Sequence, residues 1–416
     1  IEANKRAMNA GYNYAHTTEL FTTRFKVEKA VLPKGHYRNI NGNHATSLGL
    51  LAASEKSGLK LFFGGYPITP ASDILQTLAA WKNFGVQTFQ AEDEIAGITS
   101  IIGAAFTGSL AVTATSGPGI ALKGEAMGLA VMTELPMVII NVQRGGPSTG
   151  LPTKTEQSDL NQALYGRNGE APLPIIAAST PGDCFYAAYE ASSIALKYMT
   201  PVVLLTDGYL ANGSEPWKIP SVKSLDDIKV KFKKSLKNGE DYLPYERDEK
   251  TLARPWALPG TPGLEHRVGG LETAENTGHV SYDPDNHHRM VEIRQEKVNR
   301  IQNDIAKTEV FGENNGEVLI ISWGGTYGSC RSAVETLLDE GKSVSHVHLR
   351  WISPLPKDLG EIITKFKKVL VPEINMGQLI KLIRSEYLVD AKGLNQVTGR
   401  PISGKRIIEN VNKLIG

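Results

Sequence analysis

The sequence predicts an α/β protein, with a larger domain built on a buried parallel sheet, a long irregular segment, and a second, smaller α/β domain. Three observations predict it. From about residue 44, short continuous apolar runs alternate with longer helix-compatible stretches, the pattern of strands covered on both faces by helices. Near residue 215 the alternation gives way to a segment rich in Pro, Gly and charge, with no sustained period, which reads as an excursion over the surface. At "EVLIISWGG", Glu317 to Gly325, the alternation resumes.

Taken in order, the chain opens with Ile inside a helix-like segment, "IEANKRAMNAGYNYA", which lacks the apolar core of a signal peptide. Residues 1–40 are expected to be the tail of a preceding domain, or a linker. The strands of the 41–215 domain are expected at "KLFF", "VQTF", "LAVTAT", "PMVIINV", "PIIAAS" and "PVVLLTD". Its helices are expected at "ATSLGLLAASEKSG", "PASDILQTLAAW", "EIAGITSIIGAAFTG" and "GIALKGEAMGLAVMTE". Residues 216–315 form the excursion, and 316–416 the smaller domain, with strands at "EVLIISWGG", "SVSHVHLR" and "KVLVPEIN".

Composition excludes several classes. A chain of 416 residues, 41% hydrophobic, can bury two or three cores. Its 45 Lys and Arg against 44 Asp and Glu give no global charge for nucleic acid or an anionic membrane, so neither is expected as a partner. No apolar run reaches the roughly 18 residues of a membrane span. The two cysteines, Cys184 and Cys330, are too few for a four-thiolate cluster and too sparse for a secreted disulfide scaffold, which points to a soluble, cytoplasmic protein.

Common α/β sites are not signalled. There is no G-x-G-x-x-G after a strand, no G-x-x-x-x-G-K-[ST] and no G-x-S-x-G. "TSGPG", Thr115 to Gly119, sits between a strand and a helix, where it is either an anion-binding loop or a tight turn. In "GGYPITPASD", Pro67 and Pro70 flank Ile68 and Thr69 just after an apolar run and hold them extended or turned. Thr69 is then either a helix cap or a hydroxyl aimed at a ligand. His287 with His288, and His346 with His348, lack a nearby carboxylate or thiol set, so no metal site is assigned. "KVKFKKSLK" reads as a solvated charged face before it reads as a docking patch for an acidic partner.

Five motifs in order, "YPITP", "AEDE", "TSGPG", "QRGGPSTGLPT" (Gln143 to Thr153) and "GRNGEAP" (Gly166 to Pro172), resemble the α subunit of 2-oxoacid:ferredoxin oxidoreductases, most like the 2-oxoglutarate branch. The resemblance covers about residues 40–416. The opening segment is similar to the end of the γ-type domain that some members fuse ahead of the α part. It implies a thiamine-diphosphate-enzyme pyrimidine-binding domain followed by a transketolase-C-terminal-like domain. It further implies a β subunit carrying the diphosphate site, Mg²⁺ and a [4Fe–4S] cluster, with coenzyme A as co-substrate, ferredoxin as electron acceptor and an (αβ)2 assembly. The sequence agrees on one point: a G-D-G followed 25 to 30 residues on by Asn is lacking, and the nearest stretch, "TDGYLANG", has Asn212 five residues beyond Asp207.

The implied reaction is oxidative decarboxylation of 2-oxoglutarate to succinyl-CoA and CO2. Pyruvate or a branched-chain 2-oxoacid is the alternative substrate, and a non-catalytic scaffold subunit the alternative role. Thiamine chemistry needs a carboxylate against the aminopyrimidine in a dry wall. "AEDE" offers Glu92, Asp93 and Glu94, although acidic residues in a first helical turn also complement the macrodipole. Glu94 is the catalytic candidate, because Ile98, Ile101, Ile102 and Ala105 follow it at helical spacing. Tyr66, Pro67 and Ile68 join it as the implied cofactor contacts. Arg144, at the end of a predicted strand, is either a solvated loop arginine or a fork for a substrate carboxylate. With Thr69 and Thr153 it makes up the implied substrate-binding set.

Overall fold

The computed structural model describes residues 1–19, 23, 25–237 and 240–416. The N-terminal tail and the 216–315 excursion therefore each contain positions outside the described residues. The chain divides into two compact bodies, Ile1–Tyr37 and Arg38–Gly416. The first carries one helix, Glu2–Thr17, none of whose residues is buried.

The second body holds nearly all of the fold. Its strands are β1 (Tyr37–Asn41), β2 (Leu61–Gly65), β3 (Gln87–Gln90), β4 (Leu110–Thr115), β5 (Met137–Gln143), β6 (Ile175–Ala177), β7 (Pro201–Asp207) and β8 (Ser214–Lys218). They continue with β9 (Phe232–Lys233), β10 (Trp256–Ala257), β11 (Val310–Phe311), β12 (Gly316–Trp323), β13 (Val344–Leu349), β14 (Trp351–Ser353), β15 (Phe366–Glu373) and β16 (Lys392–Asn395). Seven form one sheet in the order β14-β6-β7-β5-β4-β2-β3, five a second sheet in the order β11-β13-β12-β15-β16, and two short pairs lie outside them. Within the large sheet all neighbours run parallel except β14, which pairs antiparallel to β6.

Every residue of β4, β5 and β7 is buried, which is why these strands read as unbroken apolar runs. Alternate residues feed two cores. Val138, Ile140 and Val142 of β5 face one cluster with Ile74, Leu78 and Ala188. Met137 and Ile139 face another that holds Ile98 and Ile101 of the helix Glu94–Phe106, Ala126 and Ala130 of the helix Gly124–Thr133, and Leu319 and Ile321 of β12. These two helices thus pack between the sheets, and the first turn of Glu94–Phe106 is held at the carboxyl edge of the large sheet.

The segment read as irregular contains a 17-residue helix, Pro284–Arg300, capped by Asp283 on Asn286 N. Its buried face is Met290, Ile293, Arg294, Lys297 and Val298. Two of these five positions are cations, and that hides the helical period from a hydropathy reading. Both are paired: Arg294 with Glu272, and Lys297 with Glu134, which also pairs with Arg247, while Arg254 Nε donates to the main-chain oxygens of Thr133 (3.0 Å) and Glu134 (3.2 Å).

Candidate functional site

Four adjacent strands, β3, β2, β4 and β5 in spatial order, end at one edge and deliver the sequence motifs there. Tyr66 follows β2, Glu94 opens the helix after β3, Thr115 ends β4 and Arg144 follows β5. The carboxyl edge of a parallel sheet is where open α/β folds place ligands.

The "YPITP" turn is built by its backbone. The amides of Ala71 and Ser72 both bond to Ile68 O, at 2.8 and 2.9 Å, and buried Asn43 donates to Pro70 O at 2.7 Å. The next helix, Ser72–Ala79, has Ala71 as N-cap with no side-chain cap, so Thr69 is not the cap that its position allowed. Thr69 is exposed, as is Pro67, while Ile68 packs on the first core. Thr69 offers its main-chain oxygen to Arg144 Nη1 at 2.6 Å.

Arg144 is 6% exposed, which removes the solvated-arginine reading. Its own carbonyl accepts from Ser158 Oγ at 2.8 Å, and its buried Nε has no partner among the described residues. It therefore ties the "YPITP" turn to the 144–159 loop and keeps guanidinium donors in reserve. Thr153 is exposed on that loop, and no hydrogen bond joins its side chain to Thr69, Arg144 or Glu94 among the described residues.

Around Glu94 the contacts are closer. The Tyr66 hydroxyl donates to Glu94 Oε1 at 2.6 Å and lies 3.0 Å from Thr115 Oγ1. Burial, then the bond to Glu94, holds the Tyr66 phenol protonated well above the ordinary tyrosine range. Glu94 Oε2 accepts no hydrogen bond among the described residues, and Glu94 itself is half-buried. Its acidic neighbours differ. Glu92 and Asp93 are exposed, and Asp93 is spent as the N-cap, accepting from Ala96 N at 2.8 Å.

Gly119 shows how tight this wall is. A Cβ there would fall 1.9 Å from Thr115 Oγ1, 2.5 Å from Tyr66 Oη and 3.1 Å from Glu94 Cγ. The anion-loop reading of "TSGPG" is not supported, because the space beside Gly117 belongs to the Asp159 carboxylate, whose two oxygens would lie 2.9 Å from an added Cβ. "TSGPG" is a strand-to-helix turn that allows close packing.

Sequence reasoning missed Lys123. It is wholly buried, donates from Nζ to Glu94 O at 2.6 Å and lies 5.4 Å from the Tyr66 ring centroid. Burial pulls its ammonium down to about 8. One lysine inside the small and apolar run "GIALKGEAMG" was the available signal. Asp207 of "TDGYLANG" is fully committed to the protein: it accepts from Tyr209 N, Leu210 N, Thr155 Oγ1 and Gly325 N. His346 and His348 both contact Ser322 Oγ, at 2.7 and 2.8 Å, and no group of three or more His, Cys, Asp or Glu among the described residues is arranged to hold a metal.

Residues 56–283 match the family model described as pyruvate flavodoxin/ferredoxin oxidoreductase, thiamine diphosphate-binding, and 316–407 match pyruvate:ferredoxin oxidoreductase core domain II. The chain belongs to this oxidoreductase family. Among its relatives, the 2-oxoglutarate oxidoreductase subunit KorA of Mycobacterium tuberculosis is 53% identical over 96% of this chain and 60% of its own length. This chain thus spans about three fifths of that relative's length. The 2-oxoglutarate synthase subunit KorA of Archaeoglobus fulgidus is 33% identical over 89% of this chain and 97% of its own. A solved 2-oxoglutarate:ferredoxin oxidoreductase from Magnetococcus marinus, with 2-oxoglutarate, coenzyme A and succinyl-CoA bound, superposes with a TM-score of 0.91 at 36% identity, covering 99% of this chain and 71% of that one. The expected α/β architecture, a thiamine-diphosphate-binding domain followed by a second oxidoreductase domain, is therefore the architecture of the family.

Proposed function

We propose that this chain is the α-type subunit of a 2-oxoglutarate:ferredoxin oxidoreductase, supplying the pyrimidine side of a thiamine diphosphate site for oxidative decarboxylation of 2-oxoglutarate to succinyl-CoA and CO2. The observation that carries the reading is the Tyr66–Glu94 pair at the carboxyl edge of the sheet, with one carboxylate oxygen held at 2.6 Å and the other without a partner among the described residues. That donor set suits an aminopyrimidine, whose ring needs a single well-placed carboxylate. When bound, thiamine diphosphate supplies the carbon nucleophile that attacks the 2-oxo group.

The chain's own residues do the rest. Glu94 Oε2 is the proton acceptor presented to the pyrimidine ring, and Tyr66 fixes the carboxylate through Oε1. Gly119 lets the ring wall close, with Pro67 and Ile68 framing it. Arg144, already rigid through Thr69 O, grips the substrate carboxylate with its remaining donors, and the exposed hydroxyls of Thr69 and Thr153 complete that set. Ile95 and Leu122, next in sequence to Glu94 and Lys123, are 51% and 53% exposed and suit a surface that a β-type partner covers.

That partner carries the diphosphate, Mg²⁺ and the [4Fe–4S] cluster, in an (αβ)2 assembly that passes electrons to ferredoxin. Two features favour the assignment. The Asp207 carboxylate is already saturated by internal donors. Cys184 and Cys330 are buried free thiols, and burial pushes Cys330 up to about 12, which makes both poor cluster ligands. Free buried thiols also fit a reducing, cytoplasmic setting, and no described helix is long and apolar enough to cross a membrane.

Arg144→Lys tests the reading in the assembled complex. The variant keeps the charge and loses the fork, so apparent affinity for 2-oxoglutarate falls by about 1.5–3 kcal/mol while thiamine diphosphate binding is unchanged. Steady-state kinetics with 2-oxoglutarate and with pyruvate check it. Unchanged 2-oxoglutarate kinetics, or a wild-type preference for pyruvate, would reject the substrate assignment.

A further inference from the structure

Lys123 is badly placed for stability. It lies between the helices Gly117–Leu122 and Gly124–Thr133, and its ammonium is wholly buried at the N-terminal turn of Glu94–Phe106. A helix N-terminus carries partial positive charge and disfavours a cation, and a buried ammonium with three donors wants more than the one hydrogen bond it makes among the described residues. Lys123 Nζ is packed against the first turn: a Cβ on Gly97 would meet it, and Gly65 Cα, at an ordinary contact distance of 3.4 Å. A methionine would fill the same space without the desolvation penalty.

We propose that Lys123 is a positioning residue for Glu94, pinning the first turn of its helix through the main-chain oxygen and seating the Tyr66 ring whose hydroxyl holds its carboxylate. The inference rests on the assignment of Glu94 as the cofactor-facing carboxylate. The two contacts that Lys123 makes are the two that define the carboxylate's position: Glu94 O at 2.6 Å and the ring of Tyr66, whose hydroxyl holds Glu94 Oε1. A carboxylate held in place this way is positioned to share a proton with the pyrimidine ring nitrogen.

The groups facing Lys123 are few. Burial opposes its charged form, while Glu94 and the N-cap Asp93 favour it, leaving the ammonium at about 8 against an ordinary 10.5. The sign follows. Because the unfolded chain binds this proton more tightly, stability attributable to Lys123 rises with pH between about 8 and 10.5. Removing the Glu94 carboxylate takes away support for the charge and lowers the lysine further.

The test uses Lys123→Met and Lys123→Arg, read two ways. In the chain alone, urea midpoints are followed from pH 7 to 10.5. The wild type gains stability above pH 8 from Lys123 and Lys297 together, Lys123→Met loses the Lys123 share of that gain, and Glu94→Gln shifts the onset of that share to lower pH. In the assembled complex, hydrogen–deuterium exchange at C2 of bound thiamine diphosphate slows at least tenfold in Lys123→Met at equal cofactor occupancy, and Lys123→Arg recovers most of it. A Lys123→Met complex that exchanges like wild type overturns the proposal and leaves the Glu94 assignment standing. A Lys123→Met chain that does not fold also overturns it, since the lysine would then be a structural requirement. A wild-type complex with no cofactor exchange overturns the functional reading itself, even if the pH arm shows Lys123 coupled to Glu94.

Discussion

Glu94→Gln in the assembled complex slows exchange of the cofactor C2 proton by about two orders of magnitude or more, the scale lost when a positioned acid–base group is removed. The amide is nearly isosteric and still accepts from Tyr66, whose hydroxyl lies 2.6 Å from Oε1, so folding, assembly and cofactor occupancy persist. Only the ionisable oxygen is lost. The neighbouring changes separate this role from helix electrostatics. Glu92 is exposed, so Glu92→Gln costs at most about 0.3–1 kcal/mol of helix-end stabilisation. Asp93 caps Ala96 N, and Asn caps nearly as well as Asp, so Asp93→Asn is equally mild. If either neighbour slows exchange as Glu94→Gln does, the catalytic assignment is wrong.

The second large effect is on stability. Glu134 is 3% exposed, sits in a left-handed conformation with φ of 46° at the end of the helix Gly124–Thr133, and faces Lys297 and Arg247, with Arg254 bound to its carbonyl. Glu134→Gln leaves these buried cations without a countercharge and destabilises the fold by about 3–5 kcal/mol. The urea midpoint of the chain checks it, and a loss under about 1 kcal/mol would contradict the buried-pair account. Burial pushes the Glu134 carboxyl up, but Lys297 and Arg247 overcome this and hold it below the ordinary glutamate value. Its contribution is therefore complete at neutral pH and is lost as pH falls through the folded-state value. With both cations replaced by neutral residues, burial alone acts on Glu134 and raises its carboxyl, so this acid-side loss of stability should disappear.

Glu134 also marks where the sequence stops being readable. The strands at 110–115, 137–143 and 201–207 announce themselves because both faces are buried and the residues are uniformly apolar. Glu94 was legible for the complementary reason, as an acidic residue heading a helix whose Ile98, Ile101 and Ala105 are buried. The helix Pro284–Arg300 was not legible, because Arg294 and Lys297 occupy its buried face and their partners, Glu272 and Glu134, are distant in sequence. Trp351–Ser353 lies within the smaller domain's sequence, yet it pairs with β6 of the large sheet, and three residues carry no periodicity that could say so. Thr69 was read as locked by two prolines. What holds the turn, though, is Asn43 on Pro70 O and Arg144 on Thr69 O, contacts spanning 27 and 75 positions. Lys123 escaped because a single lysine inside the one helix expected at "GIALKGEAMGLAVMTE" looks like a surface residue until its burial is known.

On the function proposed, this chain holds the pyrimidine half of a thiamine diphosphate site, which a partner carrying the diphosphate site and the cluster completes. The most direct test is to purify the chain alone and together with its β-type partner, and to measure bound iron and 2-oxoglutarate- and coenzyme A-dependent reduction of a viologen dye in both. The account predicts a colourless chain with no turnover alone, and turnover that depends on thiamine diphosphate in the complex. Stoichiometric iron or dye reduction by the chain alone, or a fully loaded complex that leaves 2-oxoglutarate untouched, would contradict it.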